Sequence, residues 1–177
     1  MGSGDAGAGD VNVDANFQLR HMWPSCPRPG SCVSGLRTLI HLDGLERGLL
    51  LRTIPVVAAI RIALWFLPVR RVRRLIGACE RLPLAIPAET PVFQLVWAVR
   101  AAGRRIPMAT CLTQSLALQF LLTRTGRSSQ LHIGVKNDPQ AGLLFHAWVE
   151  CEGSTLLSPP SEAAEYSHLL AWQDRTE

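Results

Sequence analysis

At 177 residues the chain suits one domain, with room for an extra tail, and 47% hydrophobic residues are enough to build a real core. The formal charge of +4 is a mild excess of base, concentrated in Arg70, Arg71, Arg73 and Arg74 and again in Arg104 and Arg105; no aromatic interleaving or reader motif accompanies it, which argues against a nucleic-acid partner. Five cysteines at irregular spacings, with no CxxC pair, signal neither a disulfide framework nor a zinc site and fit a reduced, cytoplasmic chain that needs no metal or other cofactor.

Residues 1 to about 40 are compositionally unlike the rest. The opening Met1 to Asp10 is rich in Gly and Asp and cannot bury a core, so 1–40 reads as a disordered or poorly structured tail, or as a start codon set too far upstream. It lacks the basic start and apolar stretch of a signal peptide, and Ala6 stands where a myristoylation signal needs Ser or Thr. Cys26 to Cys32 is loop chemistry, and residues 41–177 hold the structured part.

From Leu45 to Leu67 the chain is strongly apolar. Arg52 and Arg61 interrupt the run, leaving too short a clean stretch to span a bilayer. Pro55 starts or kinks a helix and Pro68 ends it, which predicts a buried or partner-covered helix, with membrane-surface contact as the lesser alternative. The arginine cluster continues into a short helix ending near Cys79. Thr90-Pro91 predicts a helix start with Thr90 as N-cap, burying Phe93, Val96, Trp97 and Val99 and stopping at Gly103.

Thr110 is a good N-cap for a helix with Leu112, Leu116 and Phe120 at helical spacing and Gly126 as its stop. Cys111 therefore falls in the first turn, where unpaired N–H groups and the positive end of the helix dipole favour a thiolate. Beyond Gly126 the period becomes alternating. Leu131, Ile133 and Val135 face one way, His132 and Gly134 the other; a turn follows at 137–142. A second strand puts Phe145, Ala147, Val149 and Cys151 on one face and Leu144, His146, Trp148 and Glu150 on the other. Glu152-Gly153 turns into a third strand over Ser154 to Leu157. Helices followed by an antiparallel meander make an α+β fold, with the N-terminal helices packed on the sheet.

A Cys opening a helix and a His on a later strand are the skeleton of a papain-like thiol site. A lone Cys is more often a small core hydrophobe, and His146 is equally a surface or satisfied core residue. His132, also turned from the apolar side of its strand, is the rival base. His21 and His41 lie in or near the N-terminal part, and His168 lies in the C-terminal tail. Cys151 shares the apolar face and should be inert. No Asp or Asn stands at 154–162 after the Gly153 turn; the first acid is Glu162, and Glu150 points alongside His146, not at it.

Thr110-Cys111-Leu112, Ser115 to Leu118, the Gly126 stop, Leu131-His132-Ile133-Gly134-Val135, His146-Ala147-Trp148-Val149-Glu150 and Gly153 together resemble the transglutaminase-like leader peptidases of lasso peptide biosynthesis, the B proteins of the microcin-maturation type. The resemblance covers about residues 43 to 172. It implies a papain/transglutaminase-like cysteine peptidase core that removes the leader from a ribosomally made precursor, with Cys111 as nucleophile and His146 as general base. In such proteins an Asp usually follows the His-Ala-Trp block. Here that position is Ser158, so Ser158 or Glu162 substitutes as orienting residue, the pair works without one, or this copy is impaired.

The partners implied are the precursor leader peptide, an asparagine-synthetase-like cyclase that closes the macrolactam, and a separate leader-recognition protein, because the first forty residues are too few and too polar to build a fused one. The helix around Ile54 to Trp65 and the Arg70 to Arg74 cluster are candidate docking surfaces, unless that helix packs on its own domain. Two alternatives stand beside the peptidase: a silent scaffold binding precursor or cyclase, and an acyltransferase or amidase using the same Cys-His pair.

Overall fold

The computed structural model describes residues 44–79 and 86–173. The expected tail over 1–40, the Cys26–Cys32 loop, and His21 and His41 lie outside them.

Helix α1 (Gly44–Phe66) runs through Pro55, which sits on its exposed side. Proline at that point removes one N–H and neither starts nor ends the helix. Pro68 adopts extended geometry (φ −65°, ψ 149°) and marks the break before α2 (Val69–Ala78). Leu49, Leu50, Val57 and Ile60 are the buried face of α1, packed chiefly against the helices Val92–Gly103 and Cys111–Arg124.

Helix α3 spans Val92–Gly103 with Pro91 at the N-cap. Thr90 does not cap it: its hydroxyl turns back to the Pro87 carbonyl at 2.7 Å. The buried face also differs from the expected one. Leu95, Val96, Ala98, Val99 and Ala102 are inside, whereas Phe93 is exposed and Trp97 only half-buried. Small alanines there let α3 approach α1 and α4 closely, and the bulky aromatics are turned outward.

Helix α4 (Cys111–Arg124) is the centre of the molecule. Leu116, Ala117, Leu118, Leu121 and Leu122 have no more than 1% of their surface exposed. Its C-terminus is a Schellman motif. Gly126 takes φ +75°, the Arg127 N–H donates to the Leu122 carbonyl at 3.0 Å and the Gly126 N–H to that of Thr123 at 3.0 Å.

Four antiparallel strands complete the fold: β1 (Ser129–Asp138), β2 (Gly142–Cys151), β3 (Ser154–Leu156) and β4 (Ser167–Gln173), in spatial order β3-β2-β1-β4. A four-residue helix α5 (Pro160–Ala163) joins β3 to β4. The β1–β2 hairpin turns where Asp138 Oδ1 accepts the N–H groups of Gln140 and Ala141 at 2.9 and 2.8 Å, bonds that hold this carboxyl below its ordinary range. Register pairs Leu131 with Val149, His132 with Trp148 and Gly134 with His146, so the faces group as expected, but burial does not follow them: Phe145 on the apolar face is exposed, and His132 and Trp148 on the other face are buried. The C-terminal segment, expected as a tail, is instead the strand β4 on the outer edge of β1, and it carries His168. A register shift between Ile133 and Gly134 breaks its pairing and blurs any period-2 signature.

Candidate active site

The Cys111 end is built by local backbone chemistry. Thr110 leaves helical geometry (φ −72°, ψ 169°), and its hydroxyl accepts the Thr113 N–H at 3.4 Å, so α4 opens at Cys111 as expected. The connector from α3 is held by α4 itself: Gln114 Nε2 donates to the Ala109 carbonyl at 3.2 Å. Gly103 makes room for that side chain, since a Cβ there would lie 2.9 Å from Gln114 Cδ. One turn after Cys111, the Ser115 hydroxyl donates to the Ala147 carbonyl at 3.0 Å, and a turn further Gln119 Nε2 reaches the Trp172 carbonyl at 3.4 Å. Residues four apart share a helix face. Half-buried Cys111 therefore heads the stripe of α4 fastened to the sheet, and the fastening point on β2 is the residue next to His146.

His146 is brought together with both candidate orienting residues, in series. Its Nε2 lies 2.9 Å from Ser158 Oγ, and Ser158 Oγ donates to Glu162 Oε2 at 3.2 Å. Because the serine proton goes to the carboxylate, the serine oxygen is the acceptor for Nε2–H. That direction fixes the neutral tautomer with the proton on Nε2 and leaves the Nδ1 lone pair as the basic atom. Burial lowers the His146 pKa, and the Glu162 carboxylate partly opposes that shift. Neutral imidazole is thus the resting form.

Ser158 is placed by strain. It is 1% exposed, and the residue before it, Leu157, is held at φ +67°, a conformation that side chains rarely adopt. Arg100, in the last turn of α3, donates from Nη2 to the Leu157 carbonyl at 3.0 Å and fixes this turn. Met108, at φ +58°, lies three residues before Cys111. Two of the three left-handed non-glycine residues among the described ones thus flank the candidate site; the third, Glu152, belongs to the β2–β3 turn.

Rings enclose the imidazole. Trp148 stacks on His146 with centroids 6.0 Å apart, and Tyr166 leans on it at 5.2 Å. Gly134, directly across the ladder from His146, makes this possible: a Cβ there would stand 2.7 Å from Tyr166 Cβ and 3.0 Å from the Trp148 ring. The rival base His132 has a different setting. It is buried, stacked on Trp148 at 5.6 Å, with Nε2 3.3 Å from Glu150 Oε2 but not aligned as a hydrogen bond. Glu150 also accepts the Trp148 indole N–H at 3.4 Å. His168 meets Trp148 and His132 edge-on. Cys151 is buried and its thiol is pushed up to about 11, chiefly by burial. Sequence reasoning missed Arg100, Gly134 and Tyr166. Only Gly134, a glycine inside a strand pattern, carried a signal in the sequence.

Among the described residues no group of three or more His, Cys, Asp or Glu is placed to hold a metal ion. The chain matches the transglutaminase-like superfamily over residues 56–171, well over half its length, and the match runs from within α1 into β4, with the Cys111 and His146 positions inside it. No curated protein and no solved structure matches it.

Proposed function

Since the chain belongs to the transglutaminase-like superfamily, we propose that it is a cysteine peptidase acting on the leader of a ribosomally made lasso peptide precursor, with Cys111 as nucleophile and His146 as general base. The observation that carries this reading is the bonded series His146–Ser158–Glu162, which leaves Nδ1 of a neutral imidazole as the proton acceptor. A catalytic base needs that: a free lone pair, a fixed tautomer and a carboxylate to stabilise the imidazolium that forms.

In this reading Nδ1 takes the Cys111 proton as sulfur attacks the carbonyl carbon at the leader–core junction. Backbone N–H groups at the start of α4 stabilise the oxyanion. The C–N bond then breaks, Nδ1–H protonates the departing amine, and the leader remains as a thioester on Cys111. Water, deprotonated by Nδ1, releases the leader carboxylate. The freed core amine becomes substrate for the partner cyclase, which resembles asparagine synthetases, and a separate recognition protein presents the leader. A cytoplasmic location suits a nucleophilic thiol.

The replacement of the usual Asp by Ser158 favours one competing reading, a silent scaffold binding precursor or cyclase. Precursor, recognition protein and this chain mixed in vitro separate the two by mass spectrometry. Peptidase action predicts leader release that Cys111→Ala abolishes; release unchanged in Cys111→Ala contradicts it. An added amine that captures the leader in preference to water would assign the same thioester to acyl transfer.

A further inference from the structure

We propose that the outer face of α1 together with α2 is a docking surface for anionic phospholipid, so that the protein works as a peripheral membrane protein. Contrary to the expectation from Arg52 and Arg61, α1 is by length and composition long and apolar enough to cross a membrane. It does not do so as a lone span, because Leu49, Leu50, Val57 and Ile60 are occupied in the core of its own domain. The opposite face is left apolar and uncovered by the described residues. Leu51, Ile62 and Phe66 are 60%, 54% and 78% exposed, and Pro55 and Ala59 between them are exposed as well. These five positions recur at helical spacing along about 22 Å of helix, one continuous stripe. Trp65, 63% exposed with Arg61 over its ring at 5.2 Å, lies at the same end as Phe66, an aromatic pair of the kind that seats at the headgroup level.

Charge selects the occupant. Residues 44–79 contain seven arginines and one acid, Glu46, a net +6 against +4 for the whole chain, so the other residues together are net −2. Arg52, Arg70, Arg71 and Arg74 are exposed. Where α1 meets α2, Leu67, Arg71, Arg74 and Leu75 line an open, mostly apolar groove of about 410 Å³. A second copy would set the exposed Arg52, Arg70, Arg71 and Arg74 against the same four, which like charge disfavours. A rim of one sign around an apolar stripe fits a surface that is itself apolar inside and uniformly negative outside, which is an anionic bilayer.

The test is co-sedimentation of the full chain with vesicles of phosphatidylcholine alone and of an equimolar mixture with phosphatidylglycerol, alongside sedimentation analysis of the free protein. The expected result is retention on the anionic vesicles only, weakened by salt. Replacing Arg70, Arg71 and Arg74 by Gln lowers partitioning by roughly a hundredfold, about fivefold per arginine, and Ile62→Ser with Phe66→Ser lowers it further. Unchanged iodoacetamide labelling of Cys111 in these variants shows that the catalytic domain is intact. No retention, equal retention on neutral vesicles, or retention indifferent to these variants overturns the proposal. So does a dimer, or a complex with the recognition protein, that the same variants abolish while vesicles are ignored.

Discussion

Ser158 shows how a hydroxyl can carry a charge to a ring it touches. It lies against the His146 imidazole, and Glu162, four residues on, accepts its proton and supplies the charge through it. Ser158→Ala removes the acceptor for Nε2–H, frees the ring to rotate and change tautomer, and is expected to lower kcat about a hundredfold with KM little changed. Ser158→Asp combined with Glu162→Gln places the charge directly on Nε2 and should restore activity, both measured by leader release in the reconstituted reaction. The pH profile is a separate readout. Glu162 raises the His146 pKa against the lowering by burial, so Glu162→Gln moves the acid limb of kcat/KM to lower pH. An acid limb that does not move would mean that Glu162 is not coupled to the ring.

At the scale of elements, the site depends on backbone positions that have no chemistry of their own. Gly134→Ala puts a fixed Cβ 2.7 Å from that of Tyr166, a clash no rotamer relieves. A loss of about 1–3 kcal/mol by urea unfolding is expected, with activity falling as Trp148 and Tyr166 shift against His146. Arg100→Gln weakens the bond to the Leu157 carbonyl, at about 1–2 kcal/mol, and loosens the turn that presents Ser158; activity should fall more than the stability loss accounts for. Thr110→Ala removes the α4 cap at about 1 kcal/mol, read by the same unfolding curve.

The sequence made α4, its cap, its Schellman stop and the β1–β2 alternation legible because these rest on local rules: Thr110, Gly126, and the period of Leu131, Ile133 and Val135. It also singled out Ser158 and Glu162, but as alternatives. Their arrangement in series depends on the positive φ of Leu157 and on Arg100, 57 residues away in the chain. No local pattern encodes that contact. The face of α3 and the strand β4 were misread for related reasons. Phe93 and Trp97 look like core until packed alanines claim the interface, and the register shift at Gly134 hides the period of β4.

For the molecule as a whole, the depressed His146 pKa gives a stability dependence with a definite sign. The folded state binds this proton less readily than the unfolded chain, whose ordinary value is 6.5. His146 therefore costs nothing well above pH 6.5 and destabilises the fold as pH falls below it, until the folded pKa is passed. His146→Gln should flatten that part of the stability curve. The superfamily match and the α+β architecture agree from within α1 into β4, and the catalytic account adds one requirement to them: Cys111 and His146 must act as a pair.

The measurement that tests that requirement most directly is iodoacetamide labelling across pH, resolved by mass spectrometry for each cysteine, in wild type, His146→Ala and Ser158→Ala. The account predicts that Cys111 labels much faster than Cys79 and buried Cys151, loses that advantage in His146→Ala, and retains part of it in Ser158→Ala. Cys111 labelling no faster than Cys79, or just as fast without His146, would contradict it.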